Sequence, residues 1–127
     1  MAKRVLIVDD EPQIRDLLTR VFTKGGYVVD AAESGERALE LMRASPAWVA
    51  FLDLQLPGMD GVELCRAIRR EWPLAIAHAM TGYASLYGLY DCREAGFEDL
   101  FTKPVEIAAL LAAAEYAFGK IERWKRW

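Results

Sequence analysis

Cysteine is scarce in this chain. Cys65 and Cys92 are its only two in 127 residues, and both lie in stretches with helical periodicity. That is too few for a disulfide framework, and the pair reads as reduced thiols rather than a metal site. Positive charge is not in excess either: the net charge is −3, which argues against a nucleic-acid-binding domain. No apolar run approaches the ~18 uncharged residues that a membrane span needs. The opening MAKRVLIVDDEP interrupts its apolar run with Asp9 and Asp10 before it reaches the length of a signal peptide. Internal repeats, linker-like composition and low-complexity tracts are absent. So is a glycine-rich phosphate loop after the first apolar run, where DDEP stands instead; this speaks against a P-loop or dinucleotide-binding enzyme. The expectation is one cytoplasmic domain over residues 1–127. At 54% apolar it has enough material for a single core.

What is present is an alternation. Val5 to Val8 is a continuous apolar run of the kind buried on both faces of a sheet. A helix follows with Pro12 in its first turn and Ile14, Leu17, Leu18, Val21 and Phe22 on one face, stopped by Gly25-Gly26. Tyr27 to Ala32 is a partly polar strand suited to an edge. Ser34 can cap a second helix with Ala38, Leu41 and Met42 inward. Trp48 to Leu52 is a third strand. A Pro57-Gly58 loop leads to Asp60 and Glu63, spaced as a capping box for a third helix carrying Val62, Leu64, Cys65 and Ile68. Ala75 to Met80 is half alanine, and its place in the alternation argues for a strand more than its composition does. Ser85 opens a fourth helix ending at Gly96, Glu98 to Thr102 is a fifth strand, and a long Ala/Leu helix starts at Glu106. Five β–α units imply parallel strands with right-handed crossovers. The expected sheet order is 2-1-3-4-5, with the topological switch between the first and third strands.

Polar groups punctuate the strand ends. Asp9 and Asp10 follow the first strand, Asp53 the third, Thr81 the fourth and Lys103 the fifth. In a parallel sheet these ends share one edge, and ligands bind in the crevice there. Clustered carboxylates cannot all stay ionised without something positive among them. Hard oxygen donors suit Mg²⁺, and Lys103 supplies a point charge for a phosphoryl oxygen. An aspartate accepting a phosphoryl group is chemistry such a set supports.

With VLIVDDEP, FLDLQLPGMDG, MTGYAS and AGFEDLFTKPV in that order, the chain resembles the response-regulator receiver domains of two-component signalling over residues 4 to about 118. The remainder, 119–127, extends the last helix or begins a linker. The resemblance implies a flavodoxin-like α/β fold. It implies that Asp53 is the phospho-acceptor, with Thr81 and Lys103 contacting the phosphoryl group, and that Lys103–Pro104 is a cis peptide. For Mg²⁺ it implies Asp10 and Asp53 as direct ligands, Asp9 acting mainly through water, and the backbone carbonyl of Gln55. The partner would be a histidine kinase or histidine phosphotransfer protein. The protein would be a signalling domain catalysing only its own phosphotransfer and dephosphorylation, with no membrane or direct nucleic-acid partner. A degenerate receiver, binding partners without phosphorylation, is the alternative.

Departures from the family pattern stand out. The position three residues before the lysine, commonly Tyr or Phe, is Leu100; the aromatic is Phe101, which by strand alternation points to the other face. A change of output surface would then run through the loop after Thr81 and the fourth helix, or be small. His78 interrupts the fourth strand where an aliphatic is usual, on the face opposite Thr81, and reads as a neutral, hydrogen-bonded core residue. Gln55 and Tyr83, two places after Asp53 and Thr81, are expected to govern water access, with Tyr83 favouring a long-lived phosphoryl state. Leu86, Tyr87, Leu89 and Tyr90 cover too many sides of the fourth helix to be all core. The surface of the fourth helix, fifth strand and last helix is therefore the expected homodimer or output-partner face. Trp124 and Trp127 continue one helical side beyond the expected domain edge.

Overall fold

In the computed structural model, which describes residues 2–82 and 88–125, the alternation is complete. The elements are β1 (Arg4–Val8), α1 (Pro12–Lys24), β2 (Val28–Ala32), α2 (Gly35–Ala44), β3 (Val49–Asp53), α3 (Gly61–Glu71), β4 (Ile76–Thr81), α4 (Leu89–Ala95), β5 (Phe97–Thr102) and α5 (Ile107–Lys125). All neighbouring strands are parallel, in the order β2-β1-β3-β4-β5. The expected flavodoxin-like α/β sandwich and strand order are both observed. Tyr83, Ser85, Leu86, Tyr87 and Trp127, and the side chain of Leu89, lie outside what is described.

Local chemistry sets the helix ends. Ser34 accepts from the Arg37 N–H at 3.2 Å and caps α2. Asp60 accepts from the Glu63 N–H at 2.8 Å while the Glu63 carboxylate accepts from the Asp60 N–H at 3.3 Å, which completes the capping box of α3. Gly96 ends α4 at φ +102°, a left-handed conformation that a side chain resists. Pro12 opens α1, where its missing N–H costs nothing.

The central strands are buried on both sides, and the two sides differ in material. Toward α1 and α5 the sheet presents Phe51, His78, Met80 and Phe101 to Phe22, Leu110 and Phe118. Toward α2, α3 and α4 it presents Ala50, Leu52, Ala77, Ala79 and Leu100 to Met42, Leu64, Cys65, Ile68 and Ala95. Alanine is tolerated in β4 because every residue of that strand is buried between helical layers, so packing overrides its weak propensity. Leu17, placed inward by spacing, is 38% exposed: Leu18 and Phe22 fill the contact and leave it at the rim. Buried Cys65 donates to the Ala95 carbonyl at 3.3 Å, and burial pushes its thiol up to about 12, as expected for an inert core thiol.

His78 lies on the aromatic face. Its ring stacks on Phe51 with centroids 4.6 Å apart, and Nδ1 donates to the Ala50 carbonyl at 3.2 Å. Burial lowers its pKa below that of an exposed imidazole.

Candidate functional site

The carboxyl ends of β1, β3, β4 and β5 bring the expected residues together. Asp53 is the last residue of β3 and Thr81 the last of β4; Asp9 and Asp10 come straight after β1, and Lys103 follows β5. Asp9, Asp53 and Thr81 are buried, and Asp10 is exposed at the mouth. The Lys103 ammonium lies 2.9 Å from Asp9 Oδ2 and 3.2 Å from Asp53 Oδ2. It thus bridges two carboxylates from strands that are neighbours in space but far apart in sequence.

Backbone groups fix the carboxylates. The Glu11 N–H donates to Asp9 Oδ1 at 2.9 Å, and the Gln55 N–H donates to Asp53 Oδ1 at 3.0 Å. These bonds leave Oδ2 of each facing the lysine. Arg15 Nη1 donates to the Asp9 carbonyl at 2.8 Å and ties the end of β1 to α1. The Lys103 N–H donates to the Thr81 carbonyl at 2.8 Å and continues the β4–β5 ladder to the lysine itself. The Lys103–Pro104 peptide is cis, as the resemblance implied.

The charges compete. Burial pushes the Asp53 carboxyl above its ordinary pKa and nearby Asp9 adds to this; the Gln55 N–H and the Lys103 ammonium pull it back. Burial alone would lower the pKa of Lys103, but its bonds to Asp9 and Asp53 outweigh that and raise it, so the ammonium stays charged. One carboxylate oxygen each from Asp9, Asp10 and Asp53 lie within 4.8 Å of one another. Among the described residues nothing donates a hydrogen bond to buried Asp9 Oδ2, which is met by the Lys103 ammonium as an ion pair. An all-oxygen donor set with a poorly satisfied buried member fits a small hard cation such as Mg²⁺.

Three residues that spacing had not singled out belong to this site. Gly61 is one: a Cβ there would collide with the Asp53 carbonyl oxygen and lie 2.7 Å from Leu54 Cα. The α3 N-terminus therefore closes on the end of β3 only because this residue is glycine. The PGMDG segment reads as an ordinary turn, and only the three-dimensional approach reveals the need. Arg15 is the second, hidden because its target is a backbone carbonyl. Glu11 is the third: Oε1 lies 3.3 Å from Lys103 Nζ. Of the expected flanking residues, Gln55 is exposed beside Asp53, and Tyr83 falls outside the described residues. Leu100 packs on the Thr81 face and Phe101 on the other, as alternation required.

A parallel five-stranded sheet with an acidic cluster, a hydroxyl and a lysine gathered at its carboxyl edge is the arrangement of a receiver-type signalling domain. The chain belongs to the response regulator receiver domain family, whose model matches residues 5–115. It is similar to a CheY-like receiver domain protein from Methanospirillum hungatei, with 28% identity, a TM-score of 0.89 and coverage of 97% of this chain and 98% of that one. It is also similar to NtrX from Brucella abortus, with 26% identity and a TM-score of 0.89 over 99% of this chain, but spans only 29% of that longer chain. The DrrB receiver domain, solved in a BeF3-activated state, is 26% identical with a TM-score of 0.83, over 94% of this chain and 99% of that one. The protein is thus a response-regulator receiver domain, a signalling domain of two-component systems. Among the described residues, no helix is long and apolar enough to cross a membrane.

Proposed function

We propose that Asp53 accepts a phosphoryl group from a phosphohistidine on a histidine kinase or phosphotransfer protein, in a Mg²⁺-dependent reaction in the cytoplasm. The observation that carries this reading is the Lys103 ammonium held 3.2 Å from the buried Asp53 Oδ2 at the end of β3. An Asp53 oxygen attacks phosphorus, the P–N bond to the donor imidazole breaks, and its electron pair returns to the ring nitrogen, which then takes a proton. Lys103 neutralises the charge on the transferred oxygens, and the Thr81 hydroxyl donates to one of them. The Gln55 N–H orients the Asp53 carboxylate. Asp10, Asp53 and the Gln55 carbonyl, with Asp9 behind them, would hold the cation, which supplies charge neutralisation at the phosphoryl oxygens.

The whole of 1–127 is read as one such domain, catalysing only its own phosphotransfer and dephosphorylation. Its output face is α4–β5–α5, through which it pairs with a second copy or an output partner. Tyr90 of α4 and Tyr116 of α5 are 77% and 62% exposed there, and exposed aromatic surface favours an interface. The alternative, a degenerate receiver that binds partners without phosphorylation, is disfavoured by the full set of acidic, hydroxyl and lysine residues at one edge.

Intact mass after incubation with Mg²⁺ and acetyl phosphate tests the reading. One phosphoryl adduct is expected on the wild type, none on Asp53→Asn, and none in the presence of a chelator. An unmodified wild type under conditions that phosphorylate another receiver would favour the degenerate reading.

A further inference from the structure

Glu11 stands at the N-cap of α1, a position that prefers Ser, Thr, Asp or Asn, and its side chain makes no cap bond. Its carboxylate instead reaches Lys103 across 92 residues of sequence, with Oε1 3.3 Å from Nζ. A lysine ammonium has three N–H donors and no more. Two of them go to Asp53 at 3.2 Å and Glu11 at 3.3 Å, and the Asp9 carboxylate, ion-paired at 2.9 Å, crowds the remaining side of the ammonium. A phosphoryl oxygen on Asp53 needs one of these directions. Asp9 is fully buried and held by the Glu11 N–H, so releasing it would strand a buried carboxylate. Asp53 is the group being modified. The Glu11 side chain, 56% exposed, is the member of the trio with water to turn to.

We propose that Glu11 is a positioning residue that holds Lys103 toward the mouth and so weakens capture of the phosphoryl group. The inference rests on the reading of Asp53 as acceptor. Capture requires Lys103 to exchange Glu11 for the incoming oxygen, and the Glu11 carboxylate stays nearby as a repelling charge. The same charge favours a cation at the carboxylate cluster. Removing it therefore has opposite effects on the two ligands, whereas a merely structural disturbance would weaken both.

Calorimetric titration of the wild type, Glu11→Gln and Glu11→Asp measures this without any turnover. Each protein is titrated with Mg²⁺ alone, then with beryllofluoride, a phosphoryl analogue, in excess Mg²⁺. Glu11→Gln is expected to bind beryllofluoride about 3- to 10-fold more tightly and Mg²⁺ about 2-fold more weakly, as loss of one nearby charge in a partly wet site dictates. Both differences shrink at high salt, where exposed charges are screened, and Glu11→Asp falls between. Equal or weaker beryllofluoride binding by Glu11→Gln overturns the inference and leaves the acceptor reading standing. A wild type that binds Mg²⁺ but no beryllofluoride overturns the acceptor reading and the inference with it.

Discussion

One face of the sheet centres on a cluster of packed rings, the other mostly on alanines and leucines. On the α1–α5 side, Phe51 lies 5.2 Å from Phe22, 4.6 Å from His78 and 6.4 Å from Phe101, centroid to centroid. On the α3–α4 side, Ala77, Ala79 and Leu100 underlie the helices next to Thr81. Large rings make many contacts and hold one arrangement. Small side chains make fewer, and local opening is cheapest where apolar contact is least. The contrast assigns the aromatic face to stability and the Thr81 face to any rearrangement that follows phosphorylation. It also gives Phe101, one residue away from the usual switch position, a structural role.

The sharpest way to break this division is Phe51→Ala. It removes a fully buried ring and should cost about 3–5 kcal/mol in denaturant unfolding, while any protein that remains folded still takes a phosphoryl group. Loss of the adduct in folded protein would join the two faces into one device. Lys103→Met comes next. It leaves buried Asp9 facing buried Asp53 without the ammonium, and should destabilise by about 2–4 kcal/mol in chelator. Added Mg²⁺ should recover part of this, seen as a larger rise in melting temperature than in wild type. Gly61→Ala forces the α3 N-terminus off the acceptor loop and should cost about 1–3 kcal/mol. Unlike Phe51→Ala, it should slow phosphorylation in the folded protein.

The smallest effect concerns His78. Burial lowers its pKa below the 6.5 of an exposed imidazole, so the unfolded chain takes up the proton that the folded chain refuses. Its contribution to stability is whole above that value and is lost as pH falls through it toward the folded pKa. The slope is at most about 1.4 kcal/mol per pH unit. His78→Val should flatten this limb of the stability–pH curve. An unchanged limb would mean that the imidazole is not the group titrating.

These residues also show how far the sequence could be read. The strand-end groups were legible because an apolar run must stop where the chain meets water, and a parallel sheet puts all such stops on one edge. The parity of Leu100 and Phe101 followed from strand alternation. The alanine-rich β4 was legible from its place in the βα series and not from its composition. Leu17 was misplaced because five apolar positions on α1 exceed what the contact with the sheet can cover. Glu11, Arg15 and Gly61 were hidden for another reason. Each acts through a contact with a backbone atom or a distant side chain, and such contacts leave no periodicity in the sequence.

The central claim is that Asp53 is the phosphoryl acceptor. Its most direct test is to phosphorylate the protein with acetyl phosphate and Mg²⁺, reduce it with borohydride, and map the peptides by mass spectrometry. Reduction converts an aspartyl phosphate to homoserine. The account predicts homoserine at position 53 and nowhere else, in an amount matching the phosphoryl adduct. Homoserine at position 9 or 10, or a phosphoryl group that survives reduction on a hydroxyl side chain, would contradict it.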